Sequence, residues 1–206
     1  GIADMLGTYV AAIAFHAADA GELGTYGVSK LHNVKDVKLD KFNAGAYADA
    51  IAQAAKAEDA KVIVISSSAD SKYLGSLVSV HLDAGYVSNV VALPSSADPF
   101  TVKRSVFTNK AFSNTQISTD RKLIGLSKNA YGLKENPTDC TVADFAPSLN
   151  DDDFKVEVQS VDKATDKVTI ADAEIVVSAG RGMKGPENWG MIEELAAVLN
   201  AATACS

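Results

Sequence analysis

The chain has 206 residues, 47% hydrophobic and 22% charged, a balance that sustains a folded core and excludes a fully disordered chain. Lys and Arg number 19 against 26 Asp and Glu, so the net charge is −7; with no basic run, nucleic-acid and anionic-membrane binding are not expected. The longest purely apolar stretch, Tyr9 to Phe15, is far short of the roughly 20 residues needed to span a bilayer. Two cysteines, Cys140 and Cys205, do not make a disulfide framework, which points to a reducing cytoplasm. His16, His32 and His81 are widely separated and no Cys-x-x-Cys occurs, so no zinc site is expected.

In chain order, Ile2, Met5 and Leu6 followed by Gly7 read as the last turn of a helix closed by a C-terminal glycine. Tyr9 to Phe15 is a continuous apolar run, the pattern of a strand buried on both faces. Ala44 to Ala57 is an Ala-rich helix with Tyr47, Ile51, Ala54 and Ala55 on one face. Lys61 to Ser66 is the clearest buried strand, Tyr73 to Leu82 is helical, Gly85 ends that helix, and Val87 to Leu93 is another strand. Strands alternating with helices through short links imply an open, mostly parallel, doubly wound α/β sheet.

Phe100 to Phe107, Ala111 to Ile117 and Lys122 to Leu126 are β-prone runs split by polar turns, and they suggest an appended antiparallel ribbon. Asn136 to Asp152 reads as loop or linker, and Phe154 to Val161 alternates like a half-exposed strand. From Asp172 the α/β pattern restarts: strand Ala173 to Ser178, loop Gly180 to Gly185, helix Pro186 to Leu199. This divides the chain into an N-terminal α/β domain, 1–171, and the start of a second α/β domain, 172–206.

Residues 180–185 match Gly-x-Gly-x-x-Gly between a strand and a helix. The acid that a usual dinucleotide site places about 20 residues on is missing, which disfavours NAD bound in that manner. Arg181 stands between Gly180 and Gly182, where a guanidinium can reach a flavin, a phosphate or a carboxylate, or simply occupy a tight turn. Ser66-Ser-Ser-Ala-Asp70 sits at a strand's C-terminal end, where ligands of open sheets bind; Ser68 or Asp70 as a helix N-cap is the competing reading and the favoured one. Cys140 has no adjacent His, no Gly-x-Ser-x-Gly occurs, and Cys205 reads as a small buried residue. Trp189 reads as a core or interface anchor.

Glu174-Ile-Val-Val-Ser-Ala-Gly-Arg-Gly-Met-Lys-Gly-Pro-Glu-Asn-Trp189 and Ala201-Ala-Thr-Ala-Cys-Ser206 resemble the alpha subunit of electron transfer flavoprotein, at the opening of its flavin-binding domain. Ala60 to Ser66, Leu82 to Ser88 and Val102 to Ala111 resemble its N-terminal domain. The resemblance implies a Rossmann-like fold of the adenine-nucleotide-hydrolase type without bound nucleotide. It further implies a beta-subunit partner and an FAD that carries electrons from dehydrogenases to a quinone or other acceptor, the chain being a carrier and not a catalyst. Arg181 resembles an arginine that contacts FAD, with Gly180 and Gly182 beside it, and Ser206 resembles a serine at the end of the next strand. The resemblance also makes the chain a fragment trimmed at both ends. A fragment with so few contacts is expected not to hold FAD stoichiometrically. A stand-alone domain binding ATP or AMP through Ser66 to Asp70 is the alternative.

Overall fold

The computed structural model describes residues 1–161, 170 and 173–205. It comprises two compact units, Gly1–Val158 and Gln159–Ser206.

The first unit opens with α1 (Ile2–Leu6), closed by Gly7 at φ 62°, a left-handed conformation that favours glycine. Then come β1 (Val10–Phe15), β2 (Val28–Val34), α2 (Ala44–Ala57), β3 (Val62–Ser66), α3 (Ser71–Leu82) and β4 (Gly85–Val90). The rest is all-β: β5 (Ser96–Ala97), β6 (Phe100–Val106), β7 (Ala111–Gln116), β8 (Lys122–Leu126) and β9 (Thr141–Asp144). These strands form two sheets. One is parallel, in the order β1-β2-β9; the other runs β3-β8-β4-β6-β5, with β7 also on β6. Strands β3, β8 and β4 are parallel, while β5, β6 and β7 pair antiparallel, which is the expected ribbon.

Helix α2 is the centre of the packing. Asn43 caps it, its Oδ1 accepting from the N–H groups of Gly45 and Ala46 at 3.1 and 3.3 Å. Ala48, Ala52 and Ala55 with Ile51 press on Ile63, Val78, Leu82 and Leu123. Alanine keeps the helix close to its neighbours at no cost in side-chain entropy. Two further clusters complete the core: Val87, Val90, Phe100, Val102, Ile117 and Ile124 on the other side of the larger sheet, and Val34, Leu39 and Ala46 beside the smaller one. The Gln53 side chain mimics a strand partner to the returning chain: its Nε2 donates to Ser148 O at 2.8 Å and its Oε1 accepts from Ser148 N–H at 2.9 Å.

Several expectations need correction. Lys122 to Leu126 is not part of the ribbon; it is the strand between β3 and β4, with Leu123 and Ile124 essentially inaccessible. Local β-propensity reports that a strand exists and not which neighbours it finds. The runs Tyr9–Phe15 and Lys61–Ser66 form strands, yet the first is only half-buried and the second is buried on one face alone, since β1 and β3 each lie at the end of a sheet and Val64 is 48% exposed. Residues 155–161 form no strand, since Phe154 closes a short 3-10 turn, Asp151–Phe154, and packs beside Leu39. Strand β9 lies inside the presumed loop, and β2, whose Leu31 and Val34 are inaccessible, has no apolar run to announce it.

Strand β2 carries an ionic hub. The Glu58 carboxylate, at the C-terminal end of α2, accepts from Lys30 Nζ at 2.6 Å and from the Tyr9 hydroxyl at 2.8 Å, and its Oε1 lies 2.7 Å from His32 Nε2. A negative charge at a helix C-terminus costs about 0.3–1 kcal/mol. Several hydrogen bonds to one charge, at roughly 1.5 kcal/mol or more each, outweigh that. The Lys30 ammonium and the Tyr9 hydroxyl hold the Glu58 carboxyl down at about 2, against an ordinary 4.5. The same carboxylate holds Tyr9 and Lys30 above their ordinary values. His16 and His81 also lie beside carboxylates, Asp40 at 3.2 Å and Asp49 at 3.4 Å, and of the three histidines His32 is the buried one. A depressed carboxyl stabilises the folded state fully above its unfolded pKa, and the contribution is lost as pH falls through the folded value. Replacing Glu58 by Gln is therefore expected to cost about 2 kcal/mol at pH 7. That difference should shrink between pH 4.5 and about 2, as read by urea unfolding across pH; a pH-independent difference would rule out the ionic role.

Candidate functional site

Among its described residues the second unit forms one β-α-β element: β10 (Val176–Ala179), α4 (Gly190–Leu199) and β11 (Ala202–Cys205). The strands pair in parallel, Val176 with Ala202 through Ala179 with Cys205. The loop after β10 thus leaves the C-terminal end of the sheet, the end at which open α/β sheets bind ligands.

Gly180 continues the extended chain, at φ −127° and ψ −159°, and Arg181–Met183 then make one 3-10 turn. The turn is closed by Met183 N–H to Gly180 O at 3.0 Å and Lys184 N–H to Arg181 O at 3.1 Å. Lys184 is left-handed, at φ 65°, and Asn188 Nδ2 donates to Met183 O at 2.8 Å, tying the loop to the next turn. Pro186–Asn188 form a second 3-10 turn, so the regular helix starts at Gly190 and not at Pro186. Arg181 is exposed. A Cβ built on Gly182 would meet nothing within 4 Å, so the chain's own packing does not require glycine there. An open glycine beside an exposed guanidinium leaves the backbone approachable from outside, as a phosphate or a flavin edge demands. Ser206 lies outside the described residues, as does Asp172. Trp189 is half-buried, and Cys205 is exposed, not buried as expected, because it ends an edge strand of a two-stranded sheet.

The serine cluster of the first unit is differently built. Ser71 is buried and sits at the start of α3; its Oγ donates to Ser66 O and accepts from Ser68 N–H at 2.7 Å. Ser68 Oγ lies 2.8 Å from Ser71 Oγ and accepts from Ser71 N–H at 3.3 Å, whereas Asp70 makes no side-chain cap. These hydroxyls spend their hydrogen bonds on one another and on the backbone, as the capping reading requires. Nearby, Arg104 Nη2 donates to Ser88 Oγ at 3.4 Å, and the Arg104 Nε is buried without a partner among the described residues. No group of His, Cys, Asp and Glu suited to a metal ion occurs among the described residues, and no described helix is long and apolar enough to cross a membrane.

Comparison with known families decides what the loop belongs to. The electron transfer flavoprotein domain model matches residues 2–165, and the electron transfer flavoprotein FAD-binding domain model matches residues 169–206. The chain belongs to the electron transfer flavoprotein family. The family's fold agrees with the parallel α/β sheet described above, and the FAD-binding model covers the whole Gly180–Gly185 loop. The chain is similar to the electron transfer flavoprotein subunit alpha of Bacillus subtilis (strain 168), 28% identical over 91% of this chain and 58% of that protein. The subunits of the same name from Syntrophomonas wolfei and Thermoanaerobacterium thermosaccharolyticum are 24% and 26% identical, over 97% and 90% of this chain. The chain spans 58–64% of the length of these three relatives. Nothing in the comparisons favours the stand-alone ATP- or AMP-binding domain, and the internal bonding of the serines argues against it.

If those serines serve the fold, Ser71→Ala should lower stability by about 1–2 kcal/mol by leaving the start of α3 and Ser66 O underserved. Thermal denaturation with and without millimolar ATP checks both halves: Tm falls in the variant, and ATP shifts neither protein.

Proposed function

We propose that this chain contributes the alpha subunit of an electron transfer flavoprotein, a carrier that takes electrons from dehydrogenases and passes them to a quinone or other acceptor, with no catalysis of its own. The partner is a beta subunit, and the setting is the cytoplasm, in keeping with two free cysteines. The observation that carries the reading is the open Gly180–Gly185 turn with exposed Arg181, inside the stretch that matches the FAD-binding domain. Residues 172–206 are read as the opening of that domain and 1–171 as the N-terminal domain.

The bound FAD would supply the redox chemistry, taking up and releasing electrons. The chain's own residues bind and orient. The Arg181 guanidinium offers a permanent positive charge and a planar fork to an anionic or carbonyl edge of the cofactor. Gly180 and Gly182 let the backbone come close, and Ser206 adds a hydroxyl from the end of the next strand. An arginine beside an electron-accepting ring also favours negative charge there, which raises the tendency to accept electrons. A handful of solvent-exposed contacts does not offset the loss of freedom on association, at an estimated 4 kcal/mol or more, when each is worth roughly 1 kcal/mol. The 206-residue chain alone is therefore read as unable to hold FAD stoichiometrically.

Arg181→Ala in the longer polypeptide paired with its beta subunit should weaken FAD about 10-fold, one charge-assisted hydrogen bond at an exposed site. Arg181→Lys should recover only part of the loss, because the fork is gone. Flavin absorbance after dialysis reads the result. Full retention in the alanine variant would remove Arg181 from the site, and one flavin per chain on the isolated 206 residues would overturn the retention argument.

A further inference from the structure

Beside α3 the larger sheet is deformed in one place. Val87 of β4 pairs with Ile124 and Val90 with Leu126, so Ser88 and Asn89 together stand opposite Gly125. This is a β-bulge, with Asn89 in the left-handed region at φ 57°. Two glycines keep the neighbouring space clear. A Cβ on Gly75 would stand 2.5 Å from the Tyr86 ring, and one on Gly125 would stand 2.9 Å from Ser67 Oγ and 3.2 Å from the Tyr86 hydroxyl. Bulges re-aim side chains, and a glycine inside a strand marks a close approach. Here they let the hydroxyls of Ser67, Tyr86 and Ser88 reach one cavity of about 310 Å³ where β3 ends, with Lys72 of α3 on its wall.

The hydrogen bonds at this cavity leave donors over. Ser67 Oγ accepts from Asn89 N–H at 3.4 Å and Ser88 Oγ from Arg104 Nη2 at 3.4 Å, so each hydroxyl keeps its proton to donate. The Tyr86 hydroxyl and the Lys72 ammonium make no hydrogen bond among the described residues. Burial holds the Tyr86 phenol above its ordinary value, so it stays a neutral donor, although the Arg104 charge pulls the other way. No carboxylate lines the cavity; Asp70, the acid nearest to it in sequence, lies outside. The Arg104 guanidinium stands behind Ser88 with its Nε buried and unpaired, a second positive charge without a counter-ion. Buried donors and cations that lack acceptors are costly, and an anion rich in lone pairs satisfies them together. The lining is polar throughout and its one aromatic ring is wedged against Gly75, so no apolar face remains for a nucleotide base.

We propose that this cavity binds one compact tetrahedral oxyanion of the phosphate or sulfate type, held by the Ser67, Tyr86 and Ser88 hydroxyls and the Lys72 ammonium, with the Arg104 guanidinium behind them. The Ser68 and Ser71 hydroxyls, spent on the start of α3, take no part. The site lies wholly within the first unit and does not depend on the flavin reading.

The test is calorimetric titration of the full chain with inorganic phosphate at constant ionic strength. One phosphate per chain should bind, and sulfate should compete for the same place. Lys72→Gln and Tyr86→Phe should each weaken phosphate about 10-fold, one hydrogen bond to a charged group apiece. Both variants keep the packing, since Lys72 is exposed and phenylalanine retains the ring against Gly75. Lys61→Gln makes the same charge change at the other end of β3 and should leave the affinity as it is, as should Arg181→Ala in the other unit. ATP should not displace phosphate. Absence of saturable phosphate binding, or binding that neither Lys72→Gln nor Tyr86→Phe weakens, overturns the proposal. So does an equal loss with Lys61→Gln or Arg181→Ala, which would make the attraction general or place the anion at the loop. Displacement of phosphate by ATP also overturns it, by making the cavity a nucleotide site.

Discussion

A strand made only of apolar residues needs cover on two faces and two edges, because each edge exposes backbone N–H and C=O groups as well as side chains. That requirement orders the first unit. Strand β8 meets it, with β3 and β4 on its edges and core clusters on its faces. Strands β1 and β3 meet half of it through α2 and through one neighbour each. The second unit meets it least. Two strands cover little of α4, where Ala196 is the buried residue and Val198 is 84% exposed.

The same requirement explains what could be read from sequence alone. Helix α2 is legible to the residue because its signal is local: a capping Asn43, a dense alanine stripe and no β-branched run. The apolar runs at β1 and β3 mark strands with equal clarity, and mislead only about burial, which depends on neighbours. Strand β8 shows the limit from the other side: its sequence differs little from that of a ribbon strand, and its place inside the sheet is set by long-range pairing. Strand β2 alternates too weakly to stand out; Lys30, His32 and Asn33 break its pattern, and their use becomes visible only when Glu58, 28 residues from Lys30, meets Lys30 and His32, and Ala17 meets Asn33.

At the loop, sequence and structure inform different things. The Gly-Arg-Gly spelling within Ala179 to Met183 is a local signal, and it falls inside the stretch that matches the FAD-binding domain. Geometry adds that Arg181 is exposed and that Gly182 has open space where a side chain would stand. The serine cluster offered an equally plausible ligand site by position on the sheet. Its hydroxyls turn out to be consumed by the start of α3, a distinction no spacing rule can draw.

The alanines of α2 carry a consequence for how this protein can vary. With Ala48, Ala52 and Ala55 held against Ile63, Leu82 and Leu123, the helix has at these three positions no larger side chain to trade for volume. An added methyl group there lifts a whole element off its seat, whereas a methyl lost from a facing strand leaves a local void. Evolutionary drift in this layer is thus steered onto the aliphatic partners, and the helix itself becomes the fixed gauge against which they are fitted.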